Sequence, residues 1–138
     1  MKTLILILTF LSSNIFANPY EWPITRIIDG DTVAFKADFL PVEFKDELSL
    51  RIWGVDTPEK GSRAQCIHED TMAQAATKFT TEMVNGSKKH EIYIKSWDKY
   101  GGRVLGDLIL DGQNLRDLLI KNGYAREYYG EKKTSWCN

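Results

Sequence analysis

The sequence has no strong excess of charge of either sign. Its 138 residues include 18 Lys and Arg against 19 Asp and Glu, and the formal net charge at pH 7 is -1. Nucleic-acid-binding domains usually carry a basic patch or stripe, so affinity for a polyanion would have to come from a local patch or a bound cation. The chain also lacks low-complexity tracts, internal repeats and an interdomain linker, which predicts a single domain.

Cysteine and histidine are scarce, with two of each. Neither Cys66 nor Cys137 has the spacing of a metal-ligand pair, which excludes a zinc site of the usual kind. In an oxidising compartment the two cysteines can form only one intramolecular disulfide, which would tie the C-terminal tail to the start of a helix. The alternative is two free thiols.

No apolar run is long enough to span a bilayer comfortably. The longest, Leu4 to Leu11, follows Lys2 and precedes a small residue at Ala17, which is typical of a secretory signal peptide. We expect residues 1–17 to be removed and residues 18–138 to form a secreted or periplasmic domain without a membrane anchor. A buried helix or an uncleaved anchor is the alternative.

The hydrophobic pattern predicts an α+β domain with five strands and two helices. One long helix follows the third strand and a short helix follows the fifth, ending at Asn122-Gly123. Five short strands that hide their edges would close into a small OB-fold β-barrel. The predicted strands are Ile24 to Ile28, Thr32 to Lys36, Leu48 to Val55, His90 to Ser96 and Val104 to Leu110, with the long helix from Cys66 to Val84 and a loop from Asp38 to Glu47. The predicted core stripe of that helix is Met72, Ala75, Ala76, Phe79 and Met83.

Carboxylates stand at the ends of two of these strands. Asp31, Asp56 and Glu59 would repel one another in a partly buried site, so they would take up protons or bind a cation. A ligand set made only of oxygen indicates calcium or magnesium. The alternative for Asp31 is ordinary turn chemistry.

The predicted strand that precedes Asp56 and Glu59 also contains an arginine. Arg51 stands in an otherwise apolar strand, where an unpaired charge would be costly, and Arg103 follows Gly101-Gly102. Two guanidinium groups suit the charge that develops on a phosphodiester under attack; a surface salt bridge is the alternative. Arg51 and Asp56 differ by five positions, so they can share a site only if the strand bulges or ends near Gly54.

Several motifs in order resemble the thermonuclease family, the staphylococcal-nuclease-like domains. They are Asp29-Gly30-Asp31-Thr32, then Arg51 with Gly54-Val55-Asp56-Thr57-Pro58-Glu59, then Asp98-Lys99-Tyr100-Gly101-Gly102-Arg103, then Asp111-Gly112 with Gly123-Tyr124-Ala125-Arg126. The resemblance runs from about Pro23 to Tyr129. It implies an OB-type barrel and calcium-dependent hydrolysis of DNA and RNA, by a monomer with no stable protein partner.

The resemblance also implies a role for each matching residue. Asp31 and Asp56, with the backbone carbonyl of Thr57, match the ligands of one calcium ion. Glu59 matches the proposed general base, and Arg51 and Arg103 match the two transition-state arginines. Positions that would contact the nucleotide are Lys99, Tyr100 and Tyr129.

Three departures from the family pattern affect this interpretation. The loop before Arg103 carries an extra glycine, the Asp38 to Glu47 segment is longer, and little chain follows Tyr129 to form a third helix. A bridge at Cys137 could compensate for that missing packing. A non-catalytic OB-fold module that binds nucleic acid or protein is the rival interpretation, but it has no use for three carboxylates beside two arginines.

Overall fold

A computed structural model of the protein describes residues 18–41 and 47–138. The predicted signal peptide and residues 42–46 of the predicted loop lie outside the described residues. In chain order the elements are β1 (Ile24–Asp29), β2 (Thr32–Lys36), β3 (Glu47–Ile52), β4 (Val55–Asp56), a 3₁₀ turn (Gly61–Arg63), α1 (Ile67–Gly86), β5 (His90–Trp97), β6 (Arg103–Leu110), β7 (Gln113–Asn114), α2 (Leu115–Lys121) and β8 (Arg126–Glu127). Of the helices in these ranges, none has the length and apolarity needed to cross a membrane.

One mixed sheet carries the five longer strands, in the order β1-β2-β3-β6-β5, with β7 beside β6. Strands β3 and β6 run parallel, and the other neighbours run antiparallel. The short strands β4 and β8 form a separate antiparallel pair. The α+β class and the placing of the two helices are confirmed; the three two-residue strands were not predicted.

The predicted closure of the barrel is not seen as a continuous ladder in residues 18–41 and 47–138. The strand path is open between β1 and β5. Tyr20 exchanges two backbone hydrogen bonds with Ile92 of β5, at 2.9 and 2.8 Å, which is an isolated bridge. The segment before β1 therefore lies beside β5, and barrel closure stays a prediction.

The core is formed where one face of the sheet meets the helices. Side chains alternate between buried and partly exposed along β3 and β6, as expected for strands with one face inward. The buried residues of these strands join Leu115 and Leu119 of α2 in one apolar cluster. This cluster anchors β3 and β6, the strands that carry Arg51 and Arg103.

The prediction for the core face of α1 was partly wrong. The buried residues of α1 are Glu69, Ala73, Ala76, Thr80 and Val84, and Ala75 of the predicted stripe is exposed. The reason is a polar contact: the Thr80 hydroxyl donates to the carbonyl of Gly30 at 2.7 Å. A Cβ at Gly30 would come within 2.8 Å of the Ala76 Cβ, so Gly30 allows α1 to pack closely against the β1–β2 turn.

Candidate active site

The turn after β3 brings Arg51 and Asp56 to the same region. Strand β3 ends at Ile52, Gly54 takes φ +82°, and β4 begins at Val55. Arg51 donates a hydrogen bond across this turn to the carbonyl of Val55 at 3.3 Å. The prediction that the strand must end near Gly54 is confirmed.

Asp31 is a buried carboxylate held beside Arg51. Its side chain is 2% exposed, and Oδ2 lies 2.6 Å from Nη1 of Arg51. The hydroxyl of Thr32 donates to Oδ1 at 2.9 Å, whereas Oδ2 receives no directed hydrogen bond. Burial raises the pKa of Asp31 to about 6, and the opposing effect of the Arg51 guanidinium is smaller.

Asp56 is the second buried carboxylate, and it contacts the C-terminal tail. The indole Nε1 of Trp136 donates to Oδ2 at 3.1 Å, and Nζ of Lys133 lies 2.6 Å from Oδ1. Oδ1 again receives no directed hydrogen bond. The guanidinium of Arg126 lies over the face of the Trp136 ring, 3.7 Å from the ring centre.

Glu59 is surrounded by cations. Its carboxylate lies 3.4 Å from Nε of Arg63 and 3.8 Å from Nζ of Lys133. Its backbone N–H donates to the buried carboxylate of Glu69 at 3.1 Å. The side chain is 36% exposed, so it is open to water while its backbone is tied to α1.

Arg103 begins β6 and faces the same cleft. Its Nε lies 2.5 Å from the carboxylate of Asp98, and its guanidinium stands 4.6 Å from the ring centre of Tyr100. Nζ of Lys99 lies 5.2 Å from that ring centre. The extra glycine in this loop therefore leaves the lysine, tyrosine and arginine close to one another.

One cleft of about 820 Å³ collects most of the predicted site residues. Those that line it are Asp31, Arg51, Thr57, Glu59, Lys99, Tyr100, Arg103 and Tyr129. Asp56 instead lines a neighbouring cavity of about 220 Å³, which it shares with Thr57, Glu59 and Lys133. Tyr128, which is adjacent to Tyr129 in sequence, also lines the cleft.

The carboxylates fit a hard cation in chemistry but do not form a dense cluster. Asp31 and Asp56 each have one buried oxygen that accepts no hydrogen bond of good geometry, and oxygen ligands are those that calcium and magnesium prefer. Within the described residues, no three Asp, Glu, His or Cys side chains converge as a metal-binding group. Each orphan oxygen faces a protein cation, Arg51 or Lys133, at 2.6 Å.

Sequence reasoning missed the residues that the tail contributes. The structure joins Cys66 and Cys137 in a disulfide, which holds the tail against the start of α1. Lys133 and Trp136 reach Asp56 from this tail. The possible bridge between the cysteines was the available signal, but it did not indicate which tail side chains would touch a carboxylate.

Comparison with known proteins finds one family and several relatives. A family model described as staphylococcal nuclease homologue matches residues 49–136. The endonuclease YncB of Bacillus subtilis (strain 168) is 32% identical over 106 residues, which cover 75% of this chain and 46% of YncB. The thermonuclease of Staphylococcus hyicus is 30% identical over 114 residues, covering 80% of this chain and 60% of that protein. The chain thus spans less than two thirds of the length of these relatives.

Proposed function

The chain belongs to the staphylococcal nuclease homologue family, and from that premise we propose that it is a calcium-dependent nuclease which hydrolyses phosphodiester bonds of DNA and RNA. The observation that carries the proposal is that Arg51, Arg103 and Glu59 line one cleft with the buried Asp31. This combination of two guanidinium groups and carboxylates suits a reaction that builds negative charge on phosphate oxygens.

The residues of the cleft divide the work of an in-line displacement. Arg51 and Arg103 donate hydrogen bonds to the phosphate oxygens, whose charge grows as water attacks phosphorus. Glu59 accepts the proton of that water, since its carboxylate is partly exposed and is flanked by Arg63 and Lys133, and a positioned carboxylate can act as a general base. As the water oxygen bonds to phosphorus, the bond from phosphorus to the leaving oxygen breaks, and the leaving oxygen takes up a proton from solvent water.

Asp31, Asp56 and the backbone carbonyl of Thr57 would hold one calcium ion, which when bound polarises a phosphate oxygen as a Lewis acid. Two orphan carboxylate oxygens support this assignment. Arg51 and Lys133 must yield at least part of their contacts with those oxygens to the ion. In the metal-free protein, these two cations balance the charges of the carboxylates.

We also propose that the protein acts after export as a monomer. The expected signal peptide, residues 1–17, supports export, and the disulfide between Cys66 and Cys137 is of the kind that persists in oxidising compartments. Its substrates there would be free DNA and RNA.

Digestion of single-stranded DNA and RNA, with calcium and with a chelator, tests the proposal. We expect cleavage with calcium and none with the chelator. Arg103→Lys should lower turnover by about 10²–10³-fold, the scale for losing one transition-state donor. Arg26→Lys is the matched control, because Arg26 is also paired with a carboxylate, Glu47, at 2.7 Å but does not line the cleft.

The outcomes separate the proposal from its rivals. Cleavage that persists in the chelator would refute the metal assignment. A protein that binds single strands but cleaves none in either condition would be the non-catalytic module. Equal turnover in Arg103→Lys and Arg26→Lys would remove Arg103 from the reaction, and an unimpaired Glu59→Gln variant would do the same for the base.

A further inference from the structure

Trp53 stands at the rim of the cleft beside Tyr129. Both residues line the cleft, their ring centres are 5.8 Å apart, and the ring planes are tilted by 59°. Trp53 is partly exposed and Tyr129 is 54% exposed. Two aromatic side chains are therefore partly accessible to a ligand in the cleft.

The backbone around Gly54 holds these two rings in place. The Trp53 N–H donates to the carbonyl of Gly106 at 2.8 Å, and the Tyr128 N–H donates to the carbonyl of Gly54 at 3.0 Å. A Cβ at Gly54 would lie 3.0 Å from Cε1 of Tyr129. Gly54 thus leaves room for the Tyr129 ring. The backbone hydrogen bonds hold Trp53 and Tyr129 in position without a ligand.

A bulge in β5 places Lys95 over Trp53. The β5–β6 register shifts between Ile94 and Ser96, which leaves Lys95 as the extra residue, and such bulges redirect a side chain. The strand opposite must carry glycine here, because a Cβ at Gly106 would overlap the Tyr93 carbonyl. Gly106 therefore serves both parts of this arrangement, since it permits the bulge and accepts the hydrogen bond of Trp53.

The Lys95 ammonium is available to an anion. It lies 4.6 Å from the Trp53 ring centre, and the side chain is exposed. In residues 18–41 and 47–138 it forms no ion pair, whereas Lys133 and Arg103 each pair with a carboxylate. An ammonium resting on an aromatic ring is held weakly, so it can move to a phosphate at small cost.

We propose that Trp53 and Lys95 form a nucleotide subsite at the rim of the cleft, specific for single-stranded DNA or RNA. A base stacks on the Trp53 ring, and Lys95 moves from that ring to the neighbouring phosphate. Duplex strands do not enter the subsite, because their bases are already stacked and paired. This inference rests on the proposed function for its substrate, but it concerns binding and not the chemical step.

Binding of labelled single-stranded oligonucleotides, measured by fluorescence anisotropy in a chelator, tests the subsite. Trp53→Leu should weaken binding by about 5- to 100-fold, the range for one stacked base, while Trp53→Phe should retain most of the affinity. Trp97→Leu is the matched control, since Trp97 is 64% exposed but does not line the cleft. Affinity for a duplex of the same sequence should be the same in all four proteins.

Lys95→Gln provides a test that does not depend on packing, because the side chain is exposed. Loss of one phosphate contact should make the slope of log affinity against log salt shallower by about 0.7. An unchanged slope, or equal affinities in Trp53→Leu and Trp97→Leu, would overturn the subsite while leaving the nuclease proposal intact. Conversely, a protein that cleaves nothing but loses single-strand binding in Trp53→Leu would keep the subsite and overturn the nuclease.

Discussion

At the scale of single residues, burial and charge act in opposite directions on Asp31. Removal from water disfavours its carboxylate, and the Arg51 guanidinium at 2.6 Å favours it. Burial is the larger effect, so the pKa of Asp31 rises to about 6. A group whose pKa is raised on folding contributes stability below its unfolded pKa and loses it as the pH rises through the folded value.

Asp31→Asn should therefore stabilise the metal-free protein near neutral pH. Near neutral pH the side chain is mostly ionised, and burial of this charge costs folding free energy, so its removal should raise the free energy of unfolding by about 1–3 kcal/mol. The wild type should lose stability as the pH rises from 3.8 to about 6, and the variant should lack this loss. Urea denaturation from pH 3.8 up to neutral pH, in a chelator, measures both effects. Identical pH profiles for the wild type and the variant would contradict the expectation.

Asp111 provides the control of opposite sign. Its carboxylate accepts hydrogen bonds from the backbone N–H groups of Lys89 and Lys88, which lower its pKa below 3.8. The stability that Asp111 contributes is present above its unfolded pKa of 3.8. It is lost as the pH falls through the lower pKa of the folded state. Asp111→Asn should therefore reduce stability near neutral pH, and the positive φ of 48° is one that asparagine tolerates.

In the proposed calcium site, Lys133 would compete with the ion for Asp56. Its ammonium lies 2.6 Å from Oδ1 of Asp56 and 3.8 Å from Glu59, so an arriving ion meets both a neutralised carboxylate and a positive charge. Lys133→Gln should bind calcium more tightly, by about 10-fold. Titration calorimetry measures this without any substrate. Lys132→Gln, at an exposed neighbouring position, changes the net charge equally and should leave the affinity near that of wild type.

At the scale of elements, α1 holds the loop that carries Glu59. The buried carboxylate of Glu69 accepts N–H groups from Glu59 at 3.1 Å and from Gln65 at 2.7 Å. Glu69 also lies in the first turn of α1, where the helix dipole favours a negative charge. One side chain thus connects the start of the helix to the proposed general base.

Glu69→Ala should free this loop and lower turnover by about 10–100-fold, since small displacements of a catalytic group are costly. Glu69→Gln should recover part of the loss, because its amide oxygen can still accept one of the two hydrogen bonds. Glu82→Ala, on an exposed turn of the same helix, is the control. A Glu69→Ala variant that unfolds earlier but keeps the wild-type turnover would limit Glu69 to stability.

The elements show which parts of the fold the sequence predicts. Strands such as β3 and β6 follow from alternation, and the end of β3 near Gly54 follows from the requirement that Arg51 and Asp56 share a site. The prediction of the buried face of α1 was partly wrong because Thr80 and Glu69 are buried and form hydrogen bonds. The periodicity of apolar residues does not predict the burial of polar side chains. The contacts of Lys133 and Trp136 depend on how the tail folds back, and local patterns carry no information about that.

At the scale of the whole molecule, the tail completes the site from the far end of the chain. Residues 128–138 contain no helix, so the tail does not dock through an amphipathic face. It is fixed by the disulfide, by the buried Trp136, and by hydrogen bonds from Arg126 to the carbonyls of Thr134 and Ser135 at 3.3 and 3.0 Å. Fold stability and the environment of Asp56 are therefore coupled through one covalent link.

This coupling predicts two effects of removing the link. The disulfide closes a loop of 71 residues in sequence, so the double variant Cys66→Ser/Cys137→Ser should lose about 2–4 kcal/mol of unfolding free energy. A reductant should lower the wild type to the same level and leave the variant unchanged. The released tail should also withdraw Lys133 from Asp56, so calcium should bind more tightly to the double variant.

Tighter calcium binding in the double variant would show that the disulfide acts on Asp56 through Lys133. If removal of the disulfide only destabilised the fold, calcium binding would become weaker. If both changes act through the same ammonium, adding Lys133→Gln to the double variant should tighten calcium binding much less than it does in the wild type, as expected for contacting groups. Full additivity would show that Lys133 stays on Asp56 without the disulfide, and that the bridge stabilises the fold without controlling the carboxylate.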